Sequence, residues 1–385
     1  MARTTIVVSG ALANKPGNGG EAWVRMSWAT GLRRLGFDVW FIEQIDRDFL
    51  AAGHPETYDS APASFFKEVV QQFDLADRSA LIDDRGHSLV GPHREELEEV
   101  AAQAELLVNL SGHLDLPFLF DRFPRRAYID LDPAYTQFWH ESEGCAARLG
   151  GHHYFFTVGL NVGRATCDVP ANGIAWRPLP PPVVLDHWPV SNGDFTRFTT
   201  VASWRGSFGS LQHGGRRFGA KAHEFRKFLA LPKHVGRPLE IALSIHADDH
   251  RDLHALRQIG WRIVDPGMVA ATPDSFRTYV QGSAAEFSVA QGIYVETACG
   301  WFSDRTTRYL ASGKPALVQD TGFSDHYRVS RGLVGFRTLR EAVRGAERIA
   351  CDYEQHCRAA RLLAEAHFNA DVILGRFVEQ VGVAP

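Results

Sequence analysis

An alternation of short β-branched runs with helix-patterned stretches, broken once by prolines, constrains this chain more than any other feature. "TTIVVSG" (residues 4–10) is a run of the kind buried on both faces of a parallel sheet. After the loop "ALANKPGNGG", the stretch "EAWVRMSWATGLRRLG" sets Trp23, Val24, Met26, Trp28, Leu32 and Leu35 along a helical stripe that stops at Gly36. "FDVWFIEQ" returns as a strand and completes a βαβ unit. "GPHREELEEVAAQ" reads as a helix, and "AELLVNLSGH", "RRAYIDLDP" and "HHYFFTVG" as further strands. The pattern then breaks at "ANGIAWRPLPPPVVLDHWPVSNGD", whose prolines suit neither a helix interior nor a central strand. A second series follows. Strands "FTTVASWRG", "PLEIALSIH", "WRIVDPG" and "AEFSVAQ" alternate with helices "GAKAHEFRKFLAL", "DDHRDLHALRQIG" and "TPDSFRTYVQGS", and helices run on to the C-terminus.

This pattern predicts an α/β chain of two Rossmann-like α/β/α domains, each with its own core, facing each other across a cleft. The boundaries read as 1–180 for the first domain, 181–193 for a proline-rich linker and 194–365 for the second domain. Residues 366–385 read as a C-terminal helix that packs back on the first domain. Ligands of open α/β sheets sit outside the carboxyl ends of the strands, so the cleft is the expected site.

Bulk properties narrow the partners. Of 385 residues, 45% are hydrophobic and 22% charged, the mix of a globular protein. A formal charge of -4 gives no general attraction to nucleic acid or anionic lipid, so any anion recognition has to be local. The five cysteines (145, 167, 299, 351 and 357) are scattered without CxxC spacing, as expected of reduced thiols in a cytoplasmic protein. The first apolar run is too short for a signal peptide, and no stretch approaches the roughly 18 apolar residues of a membrane span.

One stretch suggests such local anion recognition: "GWFSDRTTRYLASGKPALVQDTG" (300–322). A helix starting near Thr306 would aim the amide groups around Ser303 to Thr307 at whatever lies before it, and an anion there gains from unpaired donors and the dipole. Ser303 and Thr306 add hydroxyls, and Arg305 a charged fork. Gly313 is placed to cap the helix in the left-handed conformation and Pro315 to prevent its continuation, before "ALVQD" returns as a strand. The same residues also read as a plain capped helix with a surface arginine.

"RYLASGKPALVQDTG" resembles the "EAMASGKPVV…TDVGG" signature of nucleotide-sugar glycosyltransferases with the two-domain GT-B fold, and "TACGWFS" is similar to the donor loop of small-molecule members. Other elements follow in the family's order. "GNGGEAWVRMSWATGLRRLGFDV" resembles the N-terminal glycine loop and first helix, and "DVPANGIAW" is similar to the "IPNGVD" element ahead of the linker. "ASWRG…GAKAHEFRKFL" resembles the segment that supplies an arginine and a lysine to the donor diphosphate. "GWRIVDPG…TPDSFRTYVQGSAAEFSVA" resembles the base-binding strand with its following helix and strand.

The resemblance covers most of the chain. It implies a metal-independent transferase without a cofactor, moving sugar from a UDP-, GDP- or dTDP-linked donor to a small-molecule or glycan acceptor, with no nucleic-acid partner. It also implies donor contacts from Arg205, Lys221, Ser303, Asp304, Arg305 and Thr306, with the backbone at Val264 reading the base. Arg216 and Arg217, in the glycine-rich loop between Arg205 and Lys221, read either as further donor contacts or as solvated surface. Gly17, Gly19 and Gly20 would lie beside the transferred sugar. His113, oriented by Asp115, is the candidate base or else a polar turn residue, and Asp130 and Asp132 are the alternative catalytic carboxylates. Those two spell the Asp-x-Asp metal motif of the other, A-type fold, a reading at odds with the two-domain pattern.

Two departures separate the chain from the family pattern. The paired glutamates of retaining members are replaced by Gly300 and Arg308, with Glu296 or Asp304 as conjectured substitutes, and the histidine of plant-type inverting members is Ala298. Retention or inversion therefore stays open. A nucleotide-sugar epimerase on the same fold and a non-catalytic binding protein are the rival readings.

Overall fold

The computed structural model describes residues 3–47, 61–143, 147–191, 193–206 and 208–385. In the first sheet the strands are β1 (Thr5–Ser9), β2 (Asp38–Ile45), β3 (Ser79–Asp83), β4 (Ser88–Val90), β5 (Leu106–Leu110), β6 (Arg126–Asp130), β7 (Tyr154–Thr157) and β8 (Arg177–Pro178). They lie in the order β4-β3-β2-β1-β5-β6-β7-β8, parallel throughout except where β4 turns back on β3. A short antiparallel ribbon, β10 (Leu211–His213) with β11 (Arg216–Phe218), stands apart from both sheets. The second sheet contains β9 (Phe198–Ser203), β12 (Leu239–Ser244), β13 (Arg262–Val264), β14 (Ala285–Ser288), β15 (Ala316–Gln319) and β16 (Leu333–Phe336), all parallel, in the order β13-β12-β9-β14-β15-β16.

Both sheets are doubly wound. The first strand of each is central, the next ones (three in the first sheet, two in the second) lie on one side, and the later ones on the other. The chain therefore reverses direction between β1 and β5, and again between β9 and β14, and at such a switch point the loops part and leave a crevice. Of the strands beside these crevices, β5 and β14 are buried along their whole length, as strands covered on both faces are.

Several elements differ from the sequence reading, among them the helix Ala61–Gln72, which the pattern does not predict. Leu333–Phe336 adds a strand where the pattern predicts only helices; the glycines in "GLVGF" interrupt its run and mask it. Ser79–Asp83 and Ser88–Val90 add a hairpin in a stretch whose pattern predicts no element. The glycine-rich loop after β9 contains the β10–β11 ribbon.

The two expected cores are joined. The largest apolar cluster runs from β1 through α1 (Gly19–Arg34) into α2 (Pro273–Gln281), α3 (Asp304–Ala311) and α4 (Ala370–Val381). Trp23 of α1 packs on Trp188 with ring centroids 4.8 Å apart, and its indole N–H donates to Pro273 O at 2.8 Å. Trp28 meets Phe377 of α4 edge-on at 5.4 Å. The chain passes between the sheets twice, and the two crossings run side by side: Val183 N donates to Phe368 O and Ala370 N to Val183 O. Among the described residues no helix is long and apolar enough to cross a membrane.

At this seam Gly19 N donates to Ala270 O at 2.8 Å, and a Cβ on Gly19 would stand 2.0 Å from Thr272 O. Backbone meets backbone there, so neither side can yield cheaply. Gly19→Ala is expected to lower stability by about 1–3 kcal/mol, the cost of forcing extra atoms into a packed seam, read as a lower Tm in thermal denaturation.

Candidate active site

The carboxyl ends of both sheets open on one cavity of about 230 Å³, walled by the first sheet's loops on one side and the second sheet's on the other, with Pro181 and Pro182 of the linker between. Lys15 comes from the loop after β1, and Asp132 and Val158 from those after β6 and β7. Opposite them stand Ser203 and Gly206 at the end of β9, Gln291 after β14, and the first turn of α3.

The second-domain wall is cationic. Arg305, in the first turn of α3, donates from Nε to Glu286 Oε1 at 2.7 Å, from Nη1 to Val201 O at 2.9 Å and from Nη2 to Ser288 Oγ at 2.7 Å. Three of its five N–H groups thus fix the guanidinium to the ends of β9 and β14, and two remain uncommitted. Lys221 opens the helix Lys221–Arg226 and lines the same cavity. Among the described residues its ammonium has no hydrogen-bond or ion-pair partner. Burial and the neighbouring Arg305 push its pKa down to about 7, against the pull of Glu286. Lys221 is half-buried, and a partly desolvated cation without a partner gains from an incoming anion. Ser303, the N-cap of α3, lines the cavity with a hydroxyl that makes no capping bond, beside the unpaired amides of the first turn.

The facing wall holds the acids. Asp132 lines the cavity, and burial, with Glu21 and Asp130 adding to it, lifts its pKa to about 6 although Lys15 opposes the shift. The phenol of Tyr294 donates to Asp132 Oδ1 at 3.2 Å, a bond that crosses from one domain to the other. Tyr294 in turn stacks on Trp301 at 4.6 Å, so aromatic rings back this carboxylate. Glu21 pairs with Lys15 at 3.3 Å and with Arg25; burial pushes its pKa up, but the two cations outweigh it and hold it at about 2. Glu43, buried behind this wall, accepts from Ala13 N at 2.6 Å and Asn14 N at 3.0 Å and so fixes the loop that carries Lys15.

Of the residues singled out in the sequence, Lys221, Ser303, Asp304, Arg305 and Asp132 come together at this cavity. The others do not. Arg205, 53% exposed, faces outward and is taken by Asp249 at 2.7 Å. Asp130 is buried and saturated, accepting from Thr136 Oγ1, Gln137 Nε2, Thr157 Oγ1 and Asp132 N, so it organises the strand ends. Thr306 points its hydroxyl into the core, and Val264 pairs with Ala242 away from the cavity. Gly17 is exposed at φ +70, while Gly19 and Gly20 pack on Thr272 and Phe276, so the glycine loop serves the seam. His113 sits half-buried outside the cavity lining. Burial, with Arg25, Lys15 and Arg148 nearby, pushes its pKa down to about 3, leaving a weak base. Arg216 pairs with Asp168 of the first domain, and Arg217 reaches Ser210.

Sequence reasoning missed Lys15, Glu21, Arg25 and Tyr294. Glu21 and Arg25 are an i,i+4 pair on α1, a spacing visible in "GGEAWVR" but shared with any solvated helix face. Arg308, where retaining members carry a glutamate, is 1% exposed and donates to Asp304 Oδ2 at 2.8 Å, holding that carboxylate at the cavity edge.

The ribbon reaches from the second domain onto the first. Phe138 of the first domain lies stacked between His213 at 4.4 Å and Phe218 at 5.3 Å, and His213 pairs with Glu141 at 3.2 Å. Tyr135 donates to Gly209 O at 2.9 Å, and Phe208 packs on Tyr135 and Trp139.

No protein-family model and no curated protein matches the sequence. Solved structures match it in shape over the whole chain. An alpha-glucosyltransferase (AGT) in complex with UDP superposes with a TM-score of 0.58 at 8% identity, covering 99% of this chain and 100% of that one. Anabaena HepE in complex with UDP-glucose gives 0.59 at 10% identity, covering 98% and 99%. Sucrose-phosphate synthase from Thermosynechococcus elongatus gives 0.56 at 10% identity, covering 99% of each chain. Identities this low speak for the fold, and chemistry has to be argued from the site. Two doubly wound domains set carboxyl end to carboxyl end, matched along their full length by these structures, make the GT-B fold, and this chain has it.

Proposed function

We propose that this chain is a glycosyltransferase that moves a sugar from a nucleoside diphosphate to an acceptor hydroxyl without a metal. The observation that carries the reading is the unpartnered Lys221 ammonium beside Arg305 and the first turn of α3, in the same cavity as Asp132. As the bond from the anomeric carbon to the diphosphate breaks, charge collects on the leaving oxygen. Lys221, the two free N–H groups of Arg305, Ser303 and the helix-end amides are fixed where that charge is expected to develop, and such preorganised donors need no rearrangement during the reaction. Asp132 takes the proton from the acceptor hydroxyl, and Tyr294 holds the carboxylate oriented. The wall on which Asp132 sits would then receive the acceptor and the second-domain wall the nucleotide. The structures of similar fold support this reading, since two of those cited contain UDP or UDP-glucose.

The test is a panel of UDP-, GDP- and dTDP-sugars assayed for transfer and for donor hydrolysis, with nucleotide binding followed by thermal shift. Transfer or slow hydrolysis of one donor sustains the proposal. Conversion of the donor sugar without any acceptor would make the chain an epimerase, and nucleotide binding with neither reaction would make it a binding protein.

The same geometry predicts a pH profile. Asp132 has to be ionised to accept a proton, so kcat/KM falls below about pH 6; Lys221 has to be charged, so kcat/KM falls above about pH 7. A narrow bell between those limbs is expected, and Lys221→Arg should move the alkaline limb upward because a guanidinium stays charged.

A further inference from the structure

The cations on the Asp132 side of the cavity exceed what the donor requires. Lys15 and Arg25 both line the cavity and share one carboxylate, Glu21. Arg25 is 3% exposed, and its Nε has no hydrogen-bond partner. The trio carries a net positive charge, which Asp132 on the same wall balances while ionised and ceases to balance once it takes up the acceptor proton. Burying an unbalanced charge is expensive, and a site receiving a neutral hydroxyl compound has no need of it. The donor diphosphate already has Lys221 and Arg305 on the opposite wall. Arg308 is accounted for separately, since Asp304 neutralises it. His113, whose ring has no partner among the described residues, is kept uncharged first by burial and then by Arg25, Lys15 and Arg148. An anion entering here would meet the Lys15 ammonium, which is one-third exposed at the cavity mouth, and the Arg25 guanidinium behind it.

We infer that the acceptor carries an anionic group, a phosphate monoester or a carboxylate, held by Lys15 and Arg25 while its hydroxyl is presented to Asp132. This inference rests on the glycosyltransferase reading, and the experiment separates the two. UDP is titrated first, and its binding tests the donor site alone. With UDP saturating, so that Lys221 and Arg305 are occupied, glucose 6-phosphate, glucuronate, inorganic phosphate and glucose are each titrated by calorimetry into the wild-type protein and into Lys15→Met and Lys15→Arg. Saturable binding of glucose 6-phosphate or glucuronate, with none of glucose, is expected, and whichever binds tells phosphate from carboxylate. Lys15→Met should weaken that binding about ten- to a hundred-fold, the worth of one charge-assisted hydrogen bond, and Lys15→Arg should restore most of it. The affinity for UDP should stay within about two-fold, since Lys15 stands on the wall opposite the donor cations and a distant charge acts on binding only weakly. Equal binding of glucose and the anions would overturn the inference. So would a Lys15→Met variant that loses UDP as strongly as the anion, because the trio would then belong to the donor site. The wild-type comparison stands even if the variants fail to fold.

Discussion

Asp132→Asn is expected to lower kcat by about 10²–10⁴-fold while the affinity for the donor changes little, the loss that follows when a positioned general base is removed. Asparagine keeps the shape and still accepts the Tyr294 hydrogen bond, so the cross-domain bond at 3.2 Å persists and the fold is not at issue. What disappears is the ability to hold a proton at pH 7. Asp130→Asn is the control that gives the result its meaning. That carboxylate is only two residues away but accepts four hydrogen bonds inside the first domain, and its loss should appear as a lower Tm. Equal kcat losses without a stability change in both variants would mean that Asp132 is not the base.

Lys221→Met is the second large effect. Methionine keeps most of the length and apolar packing of the lysine stem and deletes the charge, so the loss is electrostatic. Removing one fixed donor from a site of developing negative charge lowers kcat by about 10²–10³-fold, and the same is expected here in steady-state kinetics. The folded protein should not suffer. In the free protein Lys221 is half-buried and its ammonium has no partner among the described residues, so Lys221→Met breaks no protein contact and is expected to leave Tm nearly unchanged. Lower stability together with unchanged turnover would show that Lys221 is a structural residue.

Much of the fold was legible because parallel strands buried on both faces leave unmistakable apolar runs. "TTIVVSG", "AELLVNL" and "ALVQD" all became strands, and Gly313 takes the left-handed cap position at φ +72. Leu333–Phe336 escaped because its glycines thin the run. The site was legible where chemistry and local structure coincide, as in the first turn of α3. It was illegible where partners come from distant parts of the chain: nothing in "WRG" announces that Asp249 will take Arg205, and nothing in "NKPGNGG" that its glycines face Thr272 and Phe276. Asp130 and Asp132 look alike in "YIDLDP". Only the point at which the strand stops tells them apart: β6 ends on the buried Asp130, and Asp132 lies in the loop beyond, at the cavity.

The ribbon's seat on Phe138 has a mechanical consequence. Only Gly219 and Ala220 separate Phe218, clamped against the first domain, from Lys221, so the tether between that clamp and the ammonium is two small residues long. Peeling the ribbon off Phe138 would tug the charge out of register with Arg305, and seating it would bring the charge home. Docking of the ribbon and readiness of the cationic wall are thus joined by one short lever.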